Sequence, residues 1–456
     1  MKPTFTPAKL TAAVAATLLL AALPSHADNK TDNKTDNAST TENRNVAAFS
    51  NIAIDGPFRV IVTNQPGSSI ELSGLRRQIA EIETSVSGDT LTVRQPRHKS
   101  KGWTFNFSWN KESKPPVTVR ISAATLKSLR NSGSGDIELQ NIQGQQLTVY
   151  AEGSGDIYAN GSVRDLTVQA SGSGDLRLRT LKAASLNLTM NGAGDVDAAG
   201  MTQDVNLTLN GSGDLHLGDL HASRINAALH GPGSVTLSGS SAELRTEITG
   251  SGDLDACTLS TEAASAALRG PGEACISGNL KKFDGEVRGS GDLTVRGLQA
   301  ASVHAVLTGP GNMILSGSVG QLNAELSGSG DLEGQNLQVG RAMARSRGPG
   351  SIYLSRVSET LDAEMSGSGD LSATAACKSV KLSIQGPGDI KLDGRTEQLS
   401  AQLNGSGNLN ARQLLAQQTD IQVRGPGNAV VNQAGRTAGE RTQLVTYERR
   451  GQRTTQ

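Results

Sequence analysis

A Gly-x-Gly mark returns sixteen times along the chain, from Gly133-Ser134-Gly135 to Gly425-Pro426-Gly427, and successive first glycines stand 19 or 20 residues apart. A period this short is the signature of a quasi-one-dimensional array, in which each unit buries its apolar face against its neighbours. Two units show the grammar. Gly289-Ser290-Gly291-Asp292 leads into Leu293-Thr294-Val295 and later Val303-His304-Ala305. Gly309-Pro310-Gly311-Asn312 leads into Met313-Ile314-Leu315 and later Leu322-Asn323-Ala324. Each unit holds two period-two strands separated by turns, and the identical grammar of every unit favours stacked parallel coils over antiparallel hairpins.

From Gly231 onward GPG units alternate with GSG units, the former mostly 19 and the latter mostly 20 residues long. This 39-residue superperiod favours two units per coil, with GSG stacked on GSG, giving about eight coils and a rod about 38 Å long at about 4.8 Å per coil. One unit per coil is the alternative. Its support is electrostatic, because two units per coil would bring Asp253, Asp292 and Asp331 into contact distance, where like charges repel.

The chain has 456 residues, with 43 Lys+Arg against 43 Asp+Glu, a balance that argues against nucleic acid as a partner. Aromatics make up 3% of the chain while glycine reaches 53 residues, which suits thin β-coils built on Leu, Val, Ile and Ala. Lys2 and Lys9, the apolar run Leu10 to Leu23, and Ser25-His26-Ala27 read as a signal peptide over residues 1–27. Export to the periplasm, the outer surface or the medium is the expectation, with no membrane-spanning segment. Residues 28–45 read as a disordered polar linker and 434–456 as a C-terminal tail, in which Leu444 to Tyr447 resembles a last strand. About 24 residues there are too few for a membrane barrel. Cys257, Cys275 and Cys377 read as small substitutions within repeats, a Cys257–Cys275 disulfide being the alternative.

Residues 46–130 are β-rich but irregular and read as the first coils plus a cap, with Leu75 to Glu83 open between helix and strand. Within them, Trp103, Phe105, Phe107 and Trp109 would share one face of a strand, flanked by Arg97, Lys99 and Lys101. Two readings stand: a plug over the end of the solenoid, or a stacking platform for a sugar or partner surface.

The entry segment Phe49-Ser-Asn-Ile52-Ala-Ile54-Asp-Gly56-Pro-Phe58-Arg-Val60 is followed by Leu91-Thr-Val93 and Pro116-Val117-Thr-Val119. Those pieces lead into Leu126-Lys-Ser-Leu129-Arg-Asn-Ser-Gly133-Ser-Gly135-Asp136. This succession resembles the family called putative autotransporter adhesin, head GIN domain. The resemblance covers about residues 46–213 as one family unit, and the repeat grammar extends it over the array at 131–433. It implies a right-handed parallel β-helix and, by the family's name, a role in surface adhesion.

Chemistry at the marks is weak. Calcium-binding β-rolls use a nine-residue period, and here the fourth position varies through Ser234, Glu273, Asn312 and Ser351, so turn-capping is favoured over calcium sites. No repeat departs from the grammar to gather a catalytic carboxylate pair, and the histidines show no metal-ligand spacing. The expectation is a non-catalytic exported envelope or surface protein, adhesin-like. A polysaccharide-binding or polysaccharide-modifying protein and a structural envelope spacer are the alternatives, and glycans or envelope components the expected partners.

Overall fold

Units of unequal length stack directly on one another, one Gly-x-Gly mark to each coil. The computed structural model describes residues 38–96, 116–434, 443–449 and 451–455. They form an all-β parallel solenoid of about 15 turns. The strands Ile137–Ala151, Ile157–Ala170 and Leu176–Met190 lie parallel, Ile157 facing Ile137 on one side and Leu176 on the other. The expectation of two units per coil is therefore overturned. The difference of one residue is absorbed at a second corner, where the register shifts between Ala159 and Gly161 and Gly161 takes φ +133°. An L side chain rarely adopts that conformation.

The mark itself is a close-approach corner. A Cβ on Gly153 would collide with the carbonyl oxygen of Gly133, and one on Gly172 with that of Gly153. The same geometry explains where proline is allowed. In the early coils the middle residue donates its N–H to the glycine one coil back, as Ser154 does to Gly133 and Ser212 to Gly192, both at 3.1 Å. From Pro232 onward the donor is the second glycine instead: Gly233 to Gly211 at 3.3 Å, Gly252 to Gly231 at 3.0 Å. The middle N–H is then not needed, so proline costs no bond there. Nothing at the corner explains why proline and serine alternate.

Inside a coil the side chains follow the pleat. In Leu293–Leu307 the residues Leu293, Val295, Leu298, Ala300, Val303, Ala305 and Leu307 are all buried. The inward spacing is two except from Val295 to Leu298 and from Ala300 to Val303, and the chain bends at those steps. Each coil thus presents three short outward faces. Fully burying a Leu or Val stabilises by about 1.5–3 kcal/mol, and repeated along the stack this makes one continuous core.

Chain order and stacking order differ at the N-terminal end. We label β1 Ser39–Asn45, β2 Asn51–Asp55, β3 Arg59–Thr63, β4 Ser68–Leu75, α1 Arg76–Ala80, β5 Glu83–Ser87, β6 Thr90–Arg94, β7 Thr118–Ala123, β8 Ser128–Asn131 and β9 Ile137–Ala151. The layer β6/β7 is the last parallel layer at this end, β2/β3 lies beneath it, and β8/β9 beneath that. Gly56-Pro57-Phe58, between β2 and β3, occupies the corner above Gly133-Ser134-Gly135. Antiparallel strands then close the end: β4 on β7, β1 on β4 and β5 on β6. A polar linker reaching to Asn45 is not observed, because Ser39 onward is strand β1, paired from Ser39↔Leu75 to Asn45↔Ser69. Arg44 anchors it, donating to the Ile82 carbonyl at 2.7 Å and to Thr84 Oγ1 at 3.2 Å. Leu75 to Glu83 resolves into the short helix α1 with Ile79 buried.

The other end closes in the same way. Ala429–Gln433 stacks parallel on Leu409–Val423, and then Gln443–Glu448 and Gly451–Thr455 return antiparallel. The strand expected at Leu444 to Tyr447 is present. Antiparallel ends cover the edges that a parallel stack would leave open to other chains.

Cys257 and Cys275 form a disulfide between adjacent coils, with Cα atoms 5.2 Å apart, which corrects the reading of both as unpaired substitutions. Their offsets from the mark differ, but Asp255 lies opposite Cys275, so Cys257 is the diagonal neighbour on the same outward face. Cys377 is free and buried, and burial pushes its thiol pKa up.

Candidate binding surface

Three outward columns run beside the corners, and their chemistry changes along the rod. Thr148, Thr167, Asn187, Asn206 and Asn226 stand opposite one another in consecutive coils, and so do Tyr150, Gln169, Thr189, Thr208 and Ala228. Leu186, Leu188 and Met190 point inward between them, so both columns lie on one face. Two residues further along, at the rim, come Ser171, Asn191 and Asn210. From Thr167 to Asn226 these columns carry hydroxyls and amides, interrupted only by Ala228 and, at the rim, His230. They hold no Asp, Glu, Lys or Arg, over about 14 Å along the stack and about 13 Å across it.

Amide hydrogen bonds order the array: Asn226 Nδ2 donates to Asn206 Oδ1 at 2.8 Å, and Asn210 Nδ2 to Asn191 Oδ1 at 2.7 Å. At its N-terminal end the Tyr150 ring lies under the Arg130 guanidinium, 4.5 Å from its centroid. Along one margin Ser185 donates to Asp165 at 2.6 Å and Arg224 pairs with Asp204 at 3.7 Å.

The following coils reverse this character on the same face. Arg245, Glu247, Arg269, Asp284, Glu286 and Arg288 replace the amides. Arg245 pairs with Glu243 at 2.7 Å, and Arg269 with Glu247 and Arg288 with Glu286 are also in contact. Bonds from Arg245 and then Arg224 hold the Glu243 carboxyl below the usual range. Further on, Arg345 lies 3.8 Å from both Glu325 and Glu364.

The neighbouring face carries a mixed column: Glu138, Tyr158, Arg177 and Asp197. The amide of Gln140 donates to Glu138, and with the guanidinium of Arg59 at 3.2 Å it holds that carboxyl below the usual range against a desolvation cost.

At the corner, carboxylates cap backbone. Asp136, Asp156, Asp175, Asp195 and Asp214 stack in five consecutive coils, each accepting the N–H of the next residue in the column or, for Asp214, of Ser234, at 2.8–3.1 Å. Asn312 does the same for Asp331 at 2.9 Å. The turn-capping reading of the fourth position therefore holds, and it explains why asparagine substitutes freely. Among the described residues no three His, Cys, Asp or Glu side chains converge as metal ligands, and no helix is long and apolar enough to cross a membrane.

Arg97, Lys99, Lys101, Trp103, Phe105, Phe107 and Trp109 lie outside the described residues. Their flanks do not. Gln95 donates its N–H to Asp55 at 2.9 Å, and Val117 accepts from Arg59 at 3.0 Å. Gln95 and Val117 thus lie one layer beyond Asp55 and Arg59, which flank Gly56-Pro57-Phe58. A shallow pocket of about 470 Å³ opens there between Pro57, Gln95, Pro96 and Ser134.

The uncharged face was missed from the sequence. Its signal was the recurrence of Asn-Leu-Thr at 187–189 and 206–208, which only one unit per coil places side by side.

The family model described as "Putative auto-transporter adhesin, head GIN domain" matches residues 48–206, 200–297, 276–374 and 357–440. No curated protein matches the chain. Among solved structures it is similar to a "putative adhesin" from Parabacteroides distasonis, at 17% identity over 68% of this chain and 98% of that one, TM-score 0.31. A "putative lipid binding protein" from the same species shares 16% identity over 61% and 97%, TM-score 0.32. A "putative adhesin" from Parabacteroides merdae shares 16% over 65% and 95%, TM-score 0.28.

Proposed function

Because the chain belongs to the family of putative auto-transporter adhesins with a head GIN domain, we propose that it is an exported, non-catalytic envelope or surface protein that adheres through the outward faces of its solenoid. The observation that carries this reading is the division of labour in each coil. Core and corner positions are occupied by packing and hydrogen bonding, while the outward columns vary in chemistry along the rod, from amide to ion pair. Many regularly spaced weak contacts on a rigid rod suit adhesion to an extended surface. The leader-like residues 1–27 and the inter-coil disulfide both favour an oxidising compartment outside the cytoplasm. Trp103, Phe105, Phe107 and Trp109, with Arg97, Lys99 and Lys101, are assigned a second contact, on the ground of their aromatic and basic composition.

Fractionation of producing cells tests export, and a protein retained in the cytoplasm overturns it. Beads coated with the purified chain should adhere to intact cells or to polysaccharide-coated plates more than albumin-coated beads. Equal adherence overturns the adhesive reading. Loss of adherence in Trp103→Ala/Trp109→Ala with unchanged melting supports the second contact, whereas lost folding supports a plug.

A further inference from the structure

We infer that the uncharged face centred on Asn187, Asn206 and Asn226 binds a neutral polysaccharide lying across the coils, an assignment that rests on the adhesive reading above. The first ground is charge. Charged residues make up 19% of the chain and crowd this face from Arg245 onward, yet none stands in its three columns from Thr167 to Asn226. A polyanion or polycation would find no counter-charge there, whereas a neutral chain avoids desolvating any ion.

The second ground is hydrogen-bonding capacity. An amide both donates and accepts, as does a hydroxyl, and sugar hydroxyls need both from their partners. Asn206 uses its oxygen to accept from Asn226, and Asn191 uses its own to accept from Asn210, which leaves the amide nitrogens of Asn206 and Asn191 facing solvent in fixed orientations. Such pre-ordering lowers the entropic cost of binding.

The third ground is repetition. Thr189 and Thr208 stand beside Asn187 and Asn206 at the same offset in the next coil, so a polymer of identical residues meets identical groups about every 4.8 Å. At the N-terminal end the array stops at Tyr150, whose ring is covered by the Arg130 guanidinium, and at the Arg130–Glu152 ion pair. Each contact is weak, and affinity accumulates over several sugars.

The test uses the full mature chain in affinity electrophoresis and calorimetry with laminarin, xylan, dextran and mannan as neutral probes, and alginate and polygalacturonate as anionic ones. At least one neutral probe should bind, with little dependence on salt. The variant Asn187→Ala/Asn206→Ala should weaken that binding at least tenfold with an unchanged melting temperature, and Arg288→Ala/Glu286→Ala should leave it intact. Should the alanine pair melt early, Thr189→Val/Thr208→Val replaces it with the same expectation. Binding only to anionic probes, neutral binding that survives both patch variants, or self-association through this face with no polysaccharide bound overturns the assignment. Beads that adhere to cells while no neutral probe binds in solution sink this inference and leave the adhesive reading standing. Beads that never adhere sink that reading, while neutral binding in solution would still uphold this one.

Discussion

The carboxylate of Asp195 accepts the backbone N–H of Asp214 at 2.8 Å, although both belong to a column of five stacked aspartates. Cap and repulsion are therefore two effects of one side chain. Asparagine keeps the acceptor and removes the charge. Asp195→Asn should raise stability by about 0.2–1 kcal/mol at low salt, and the gain should shrink in high salt as the Debye length falls below about 10 Å. Asp195→Ala should lose about 1 kcal/mol with the acceptor. Urea unfolding at two salt concentrations checks both, and a salt-independent Asn effect would remove repulsion from the account.

Proline tolerance should follow the hydrogen bond at each corner. Ser212 donates its N–H to Gly192, whereas at Ser290 the donor is Gly291. Ser290→Pro should therefore be nearly neutral, and Ser212→Pro should cost about 1–3 kcal/mol by stranding a buried carbonyl. Equal melting temperatures for the two variants contradict this account.

Glycines divide by what lies above them. Gly172→Ala drives a methyl into the Gly153 carbonyl and should cost upwards of about 1–3 kcal/mol. Gly144, whose added Cβ would meet nothing closer than 3.7 Å, should accept alanine within about 0.5 kcal/mol. Thermal melts of the pair are the measurement.

Thiol titration should separate the three cysteines. The native protein should react slowly or not at all with an aromatic disulfide reagent, since Cys257 and Cys275 are bonded and the Cys377 thiol is buried with its pKa raised. Denaturation should expose one thiol, and denaturation with reduction all three. Three thiols in the unreduced, denatured, exported protein would remove the inter-coil staple.

Acid should weaken the neighbourhood of Glu138. Its folded-state pKa lies below the ordinary glutamate value, so the stabilisation is present above that ordinary value and lost as pH falls through the folded pKa. Glu138→Gln should narrow the stability gap between neutral and acidic solution, modestly because the pair is exposed. A variant with the wild-type pH profile would place the acid sensitivity elsewhere.

The sequence by itself determined that this chain stacks. The Gly-x-Gly spacing and the alternation in stretches such as Leu293-Thr294-Val295 fix parallel β-coils, because periodicity reports which side of a strand meets the core. Capping by the fourth residue was equally legible, since the exchange of Asp195 for Asn312 at one offset keeps an acceptor and discards a charge. Only the tertiary structure decided which unit lies beside which. Length alternation pointed to two units per coil, but the second corner at Gly161 absorbs the extra residue, and that is a backbone event with no single sequence signature. The candidate surface hangs on that one decision. With two units per coil Asn187 would neighbour Asn226 and not Asn206, whereas the observed register places Asn187 beside Asn206 and makes their amides one face. Cys257 and Cys275 are likewise joined by register rather than by offset. Neighbours across a stack are set by how backbones close past one another, and that distance is not written in either residue.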